Sequence, residues 1–143
     1  KINGFNEQLT SSEDYNLWLR IASFNKISLV PQVLAYYHHH QGEQITKNKV
    51  RIAINRLSIQ LKFLNDYPDI AKTLGQNKVK KITDGELLHR AYTSYWDRDL
   101  KTSHTLFRKV FWRRFFCLND LKYLLPALLP FYIYQSLILA KDK

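Results

Sequence analysis

The hydrophobic period of the chain changes at Lys47, and this change constrains the fold more than any other feature. Downstream, apolar residues recur at helical spacing. Val50, Ala53, Ile54, Leu57, Leu61 and Leu64 form one stripe, and Lys49, Arg56 and Lys62 lie largely off it. The pattern predicts a helix that ends before Pro68. "DIAKTL" reads as one or two further turns stopped at Gly75, and "QNKVKK" as a basic connector. Thr83 and Glu86 have capping-box spacing, so the next helix is expected to start there. Leu88, Ala91, Tyr92 and Tyr95 line one of its faces. "DRD" breaks it, with Asp99 as the cap of a following helix that runs to about Phe116. Leu106, Phe107, Val110 and Phe111 point inward on that helix. The two form an expected helical hairpin. It occurs once, so no repeat array is read.

Upstream of Lys47 the segments are short. Residues 11–23 read as a helix with Ser11 as N-cap and Glu13 and Asp14 in its first turn, where the positive helix end favours anions. Asp14, Leu17, Trp18 and Ile21 follow the spacing of one face; Glu13, Asn16 and Arg20 lie opposite. "KISLV" is a β-branched alternating run and an expected strand. Pro31 breaks it. "VLAYY" resumes as a second extended segment that runs into His38, His39 and His40, and "QGEQ" is a loop.

The two parts differ in charge. Residues 1–46 hold three Lys/Arg against four Asp/Glu; residues 47–143 hold nineteen against eight. A basic surface attracts nucleic acid, anionic lipid or phosphate-bearing ligands. The 143 residues amount to one domain, and 45% apolar content excludes a disordered chain. The sequence opens on Lys1 and contains no Met, and "KINGFNEQL" has no signal-peptide pattern, so the chain reads as the C-terminal part of a longer protein. The single cysteine, Cys117, excludes an intrachain disulfide and is expected to be a buried small apolar residue.

Tyr123 to Ala140 runs 18 residues without a charge, near the lower limit for a membrane span. Pro126 and Pro130 would kink or restart a helix there. With the basic, aromatic "FRKVFWRR" upstream, the segment fits an interfacial element meeting anionic headgroups. The competing reading is that its Leu and Tyr residues cover the helical hairpin.

Glu13 and Asp14 carry two readings. As a pair at a helix start they are capping acids. Asp14, however, shares the face of Leu17, Trp18 and Ile21, which puts it at the tip of the face expected to be buried. A base directed into a cleft would sit there. His38 and His40 point to one side of an extended chain and His39 to the other; no Cys or third His completes a zinc pattern. The four glycines form neither GxGxxG nor a P-loop.

"INGFNEQL", "SSEDYNLWLR" and "ISLVPQVLAYYHHHQGEQIT", taken in order, resemble the C-terminal half of the catalytic domain of family-2 inverting glycosyltransferases. Those show a GGFDE-like turn, an ED-x-DLWLR helix, a strand ending in VPEPL and a YR-x-H-x-x-x-x-S segment. The resemblance implies an α/β GT-A, Rossmann-like fragment over residues 1–46, followed by a basic helical region over 47–143. It implies transfer from a nucleotide-sugar donor to a glycan or lipid-linked glycan acceptor, with Asp14 as general base and Glu13 beside it. Gly4 and Phe5 would line the sugar and acceptor pocket, Trp18 and Arg20 would support it, and His40 would lie near a divalent metal, Mg²⁺ or Mn²⁺, and the diphosphate. Bacterial members often carry such tails, which implies envelope polysaccharide synthesis at the cytoplasmic face of the membrane. Asn3, Asn6 and Asn16 depart from the usual Gly, Asp and Asp, and His38 stands where Arg is common. The DxD motif and nucleotide-binding strands would lie upstream of Lys1, so the chain alone is expected to be inactive.

Two other classes compete. A non-enzymatic membrane-surface or helical interaction module would rest on the basic part, with Asp14 only a cap. Nucleic-acid binding would rest on charge and aromatics alone; no recognised motif accompanies them, and the apolar tail points to lipid instead.

Overall fold

The computed structural model of the chain describes residues 4–9, 11–36 and 47–141. Among these residues there are seven α-helices: α1 Glu13–Ala22, α2 Lys49–Asp66, α3 Pro68–Leu74, α4 Gln76–Trp96, α5 Leu100–Arg113, α6 Leu121–Ala127 and α7 Phe131–Lys141. A short 3-10 turn, Leu118–Asp120, leads into α6. The chain divides into two compact units, Lys1–Ile59 and Gln60–Lys143.

The expected α/β, Rossmann-like segment is overturned. No β-strand occurs among the described residues. Residues 26–36 carry no regular structure, and Ile27, Leu29, Val30, Val33, Leu34 and Tyr36 stand exposed. A strand is held by hydrogen bonds to a neighbouring strand and by a face packed on a core. "KISLV" and "VLAYY" meet neither condition among the described residues, and β-branching does not replace a partner.

In the first unit, α1 lies on the early part of α2. Asn55 Nδ2 donates to Ser11 Oγ at 2.6 Å, and the Arg56 guanidinium sits 4.2 Å from the centroid of the Tyr15 ring. Ser11 is therefore buried in this contact and does not cap α1. Ser12 occupies the cap position with φ 63° and makes no side-chain cap bond. The stripe predicted for α2 largely holds: Ala53 is buried and Val50, Ile54, Leu57 and Leu64 are half-buried, whereas Leu61 is exposed and Ile59, off the stripe, is buried. Asn48 Oδ1 accepts from the Arg51 amide at 2.9 Å and closes the N-terminus of α2.

The second unit is built on α4 and α5. α4 begins at Gln76, directly after Gly75 at φ 76°, so "QNKVKK" is helix and not connector. Thr83 lies inside α4 and caps nothing; its Oγ1 donates to the Val79 carbonyl one turn back, at 3.0 Å. Glu86 instead accepts from Gln60 Nε2 at 2.6 Å and from Arg90 at 2.9 and 3.0 Å. Capping-box spacing also occurs within helices, and the lysine-rich run before it is itself a good helix former. Asp99 does cap α5: its Oδ1 accepts from the Thr102 amide at 3.2 Å. α5 stops at Arg113, with Arg114 in the left-handed region at φ 55°.

Leu87, Ala91 and Tyr95 of α4 close on Leu106, Phe107 and Val110 of α5, all buried. Each large apolar side chain buried this way is worth about 1.5–3 kcal/mol. Asp84, buried on α4, takes a hydrogen bond from Arg113 Nε at the end of α5. A buried carboxylate left without its cation costs about 3–5 kcal/mol, so this pair penalises any slip of α5 along α4.

α6 and α7 cover the hairpin. Leu124, Ala127, Tyr134 and Ile138 are buried. Ser103 Oγ donates to the Leu100 carbonyl at 3.1 Å, which leaves Tyr134 Oη to donate to Ser103 Oγ at 3.0 Å. His104 Nε2 donates to the Leu129 carbonyl at 2.9 Å. The apolar stretch from Tyr123 to Ala140 is thus two short helices, and no helix among the described residues is long and apolar enough to cross a membrane. Cys117 is exposed, not buried, because the chain turns outward between α5 and α6.

Asp120 fastens α6 to α4. Its carboxylate accepts from Tyr92 Oη at 2.6 Å and from the Cys117 amide at 2.7 Å. Burial and this bond push the Tyr92 phenol well above its ordinary value of 10.0. Burial alone would raise Asp120, but hydrogen bonds from Tyr92 and from the Cys117 amide and side chain outweigh it and hold the carboxyl below 3.8. The folded chain therefore keeps a phenol proton that the unfolded chain releases near pH 10. Stability from Tyr92 is intact below that pH and is lost as the pH climbs beyond it; stability from Asp120 is intact at neutral pH and lost as the pH falls below the carboxylate range. Tyr92→Phe is expected to lower stability at pH 7 by about 1.5 kcal/mol, and the gap should narrow at pH 11. Thermal unfolding of both forms at the two pH values checks this; an equal gap at both contradicts it.

Candidate functional site

Of the residues singled out in the first unit, Arg20 ties the Gly4 turn to α1 on the side of the helix opposite Asp14 and Trp18. Asn6 builds the turn that precedes α1: its Oδ1 accepts from the Gln8 amide at 3.1 Å and its carbonyl from the Leu9 amide at 3.1 Å. This is an Asx turn, which Asn forms as readily as Asp, so the departure at Asn6 leaves the turn intact. Arg20 Nη2 then donates to the Gly4 carbonyl at 2.7 Å, and Arg20 Nε donates to Asn16 Oδ1 at 3.1 Å, one helical turn back. The fork of one guanidinium joins the Gly4–Phe5 turn to the helix that carries Glu13 and Asp14. Asn16 presents a neutral oxygen to that fork, so its hold on Arg20 is a hydrogen bond and not an ion pair.

Asp14 does not stand at the tip of a buried face. No residue of α1 is buried, and Glu13 and Asp14 are both exposed. Trp18 is 57% exposed and Phe5 61%. Amphipathic spacing states which residues share a side; it does not supply the surface they would pack against. Asp14 and Trp18, four apart, share one side of α1, and that side is open. Asp14 Oδ1 accepts from the neighbouring Tyr15 amide at 2.6 Å, which holds the carboxylate beside the first turn. A carboxylate so placed can accept a proton from a hydroxyl that approaches from solvent, with the Trp18 ring as an adjoining apolar surface.

His40, with His38 and His39, lies outside the described residues. Among the described residues no group of three His, Cys, Asp or Glu side chains could hold a metal ion. Glu13 and Asp14, two carboxylates on exposed helix surface, do not make a divalent-metal site by themselves.

Sequence reading placed Arg20 only as a supporting residue and gave Asn6 and Asn16 only as departures. The signal for their joint role is the four-residue interval between Asn16 and Arg20, which puts an acceptor directly below the guanidinium. The reach from Arg20 to Gly4, sixteen residues away, has no such local signature. Compared with known protein families, curated proteins and solved structures, the chain matches none.

Proposed function

We propose that the chain carries the base-bearing, acceptor-side segment of an inverting glycosyltransferase, which moves a sugar from a nucleotide-sugar donor to a glycan or lipid-linked glycan. The observation that carries the reading is the Arg20 fork, which holds the Gly4–Phe5 turn against the Glu13–Asp14 helix. Those are the first two sequence blocks of the resemblance, and here they form one structural piece with an exposed carboxylate.

The chemistry needs one base. The acceptor hydroxyl attacks the anomeric carbon, its oxygen forms the new C–O bond, and the bond to the nucleoside diphosphate breaks on the opposite face, with inversion. Asp14 takes the hydroxyl proton as the bond forms. Trp18, on the side of Asp14, offers a ring for the acceptor's apolar face, and Arg20 holds to α1 the Gly4–Phe5 turn that the resemblance assigns to the acceptor pocket. Glu13, at the next helical position and about 100° round the axis, adds negative potential without reaching the same proton. The divalent metal that the resemblance implies would supply charge stabilisation for the diphosphate, but no group of side chains among the described residues would hold it. In the intact transfer-competent gene product, Asp14→Asn should cut transfer by about 10²–10⁴-fold and leave donor binding nearly unchanged; Glu13→Gln should be milder. A radiolabelled-sugar transfer assay decides. Transfer by Asp14→Asn at close to the parent rate removes the assignment.

The second unit supports work at a membrane surface, on the cytoplasmic face. Trp112 is 74% exposed and shares a depression of about 380 Å³ with Arg108 and Lys109 on α5. Exposed Leu125 and Tyr132 follow on α6 and α7. Cations beside exposed aromatic and aliphatic groups suit an anionic headgroup layer. The chain should co-sediment with phosphatidylglycerol vesicles at low salt and be released at high salt. Failure to bind at low salt would remove the membrane placement and leave the Asp14 assignment untouched.

A further inference from the structure

The second unit contains a groove of about 680 Å³ that neither the transfer chemistry nor the basic aromatic patch uses. It runs along one face of α4, and its size falls in the roughly 300–1,000 Å³ range of small-molecule sites. Gly85, Leu88, Tyr92 and Phe115 line it, together with Lys80 and Lys81 one helical turn before Gly85, the Lys81 stem lying near Gly85. Asn77 and His89 add neutral polar and imidazole groups, and no Asp or Glu lines it.

Gly85 and Tyr92 shape this groove, and Tyr92 is the part held in place. Gly85 stands inside a helix, where glycine costs about 1 kcal/mol relative to alanine. A Cβ at that position would come to 3.4 Å from the Phe115 ring. That is ordinary van der Waals contact, so a methyl would fit against the Phe115 ring, and the ring lies one side-chain contact from the α4 backbone. Tyr92 forms a fixed wall. Its hydroxyl is held by Asp120 at 2.6 Å, and its ring meets Phe107 and Tyr123 edge-on at centroid distances of 5.2 and 5.0 Å.

We infer that this groove binds a single amphiphile with a phosphate head, its alkyl chain on Leu88, Tyr92 and Phe115 and its phosphate at Lys80 and Lys81. The apolar floor removes a hydrocarbon chain from water, which is favourable in proportion to the area covered. Two adjacent ammonium groups without a competing carboxylate select an anion. A phosphate monoester near its second ionisation offers more charge and more acceptor oxygens to two ammonium groups than a carboxylate does. Neither half of the site explains the other's presence; a molecule with both properties fits both. The inference stands apart from the transferase reading, since it concerns binding without a sugar donor and its residues lie in the second unit.

Isothermal titration of the whole chain with octyl phosphate, below its micelle concentration, tests the inference. Octanol, octanoate and inorganic phosphate serve as matched probes for the chain, the charge and the head alone. Octyl phosphate should saturate at one per chain, and each of the three probes should bind at least about tenfold more weakly. The exposed pair K80A/K81A should weaken octyl phosphate by about tenfold or more while octanol binding stays the same. Affinity should rise from butyl to octyl phosphate. The inference is overturned if octyl phosphate does not bind, if any matched probe binds as tightly, or if K80A/K81A binds octyl phosphate as the parent does. An unchanged helical circular dichroism signal shows that the double variant is folded.

Discussion

The packing of α5 against α4 is the constraint on which residues 60–143 depend. Phe107 is its centre: wholly buried, edge-on to Tyr92 and near Tyr95 and Tyr123. Around it, two polar devices fix direction where apolar contact alone would allow sliding. Asp84 and Arg113 fix one end of the helix pair, and the Asp99 cap fixes the turn at the other. α6 can then start only where Asp120 meets Tyr92, and α7 only where Tyr134 meets Ser103. The hydrophobic term supplies most of the stability, and the hydrogen-bonded pairs choose one arrangement among several that would bury similar area.

This hierarchy explains what could be read from the residues alone. The hairpin, the Asp99 cap, the stop at Gly75 and the inward set Leu106, Phe107 and Val110, with Phe111 only half-buried, follow from spacing and turn chemistry, which are local properties. The start of α4 does not. Thr83 and Glu86 imitate a cap, and only the buried position of Thr83, its bond to Val79 and the engagement of Glu86 by Gln60 show that the helix passes through. Cys117 departs from its neighbourhood for a related reason: its aromatic neighbours imply a core, but the left-handed Arg114 turns the chain outward before it.

In the first unit the balance is reversed. The "KISLV" and "VLAYY" runs have strand composition, yet a strand is a pairwise structure, and its composition says nothing of the partner. The site residues were legible as residue types: the acidic pair, the Gly-Phe turn and the Trp and Arg of the helix. Their assembly was not, because the bond from Arg20 to Gly4 spans sixteen positions with no periodicity to announce it. The exposure of Asp14 was equally hidden, since helical phase fixes a side and not its surroundings.

The central claim is that Arg20 makes the Gly4–Leu9 turn and α1 one rigid piece that carries Asp14. Backbone amide order parameters from nuclear magnetic relaxation measure this directly. In the parent chain the amides of residues 4–9 should be close to the rigid value of about 0.85 seen in packed backbone, and in Arg20→Ala they should fall below about 0.6, with α4 and α5 unaffected. Equal order in both forms, or a turn already below that level in the parent, would contradict the claim.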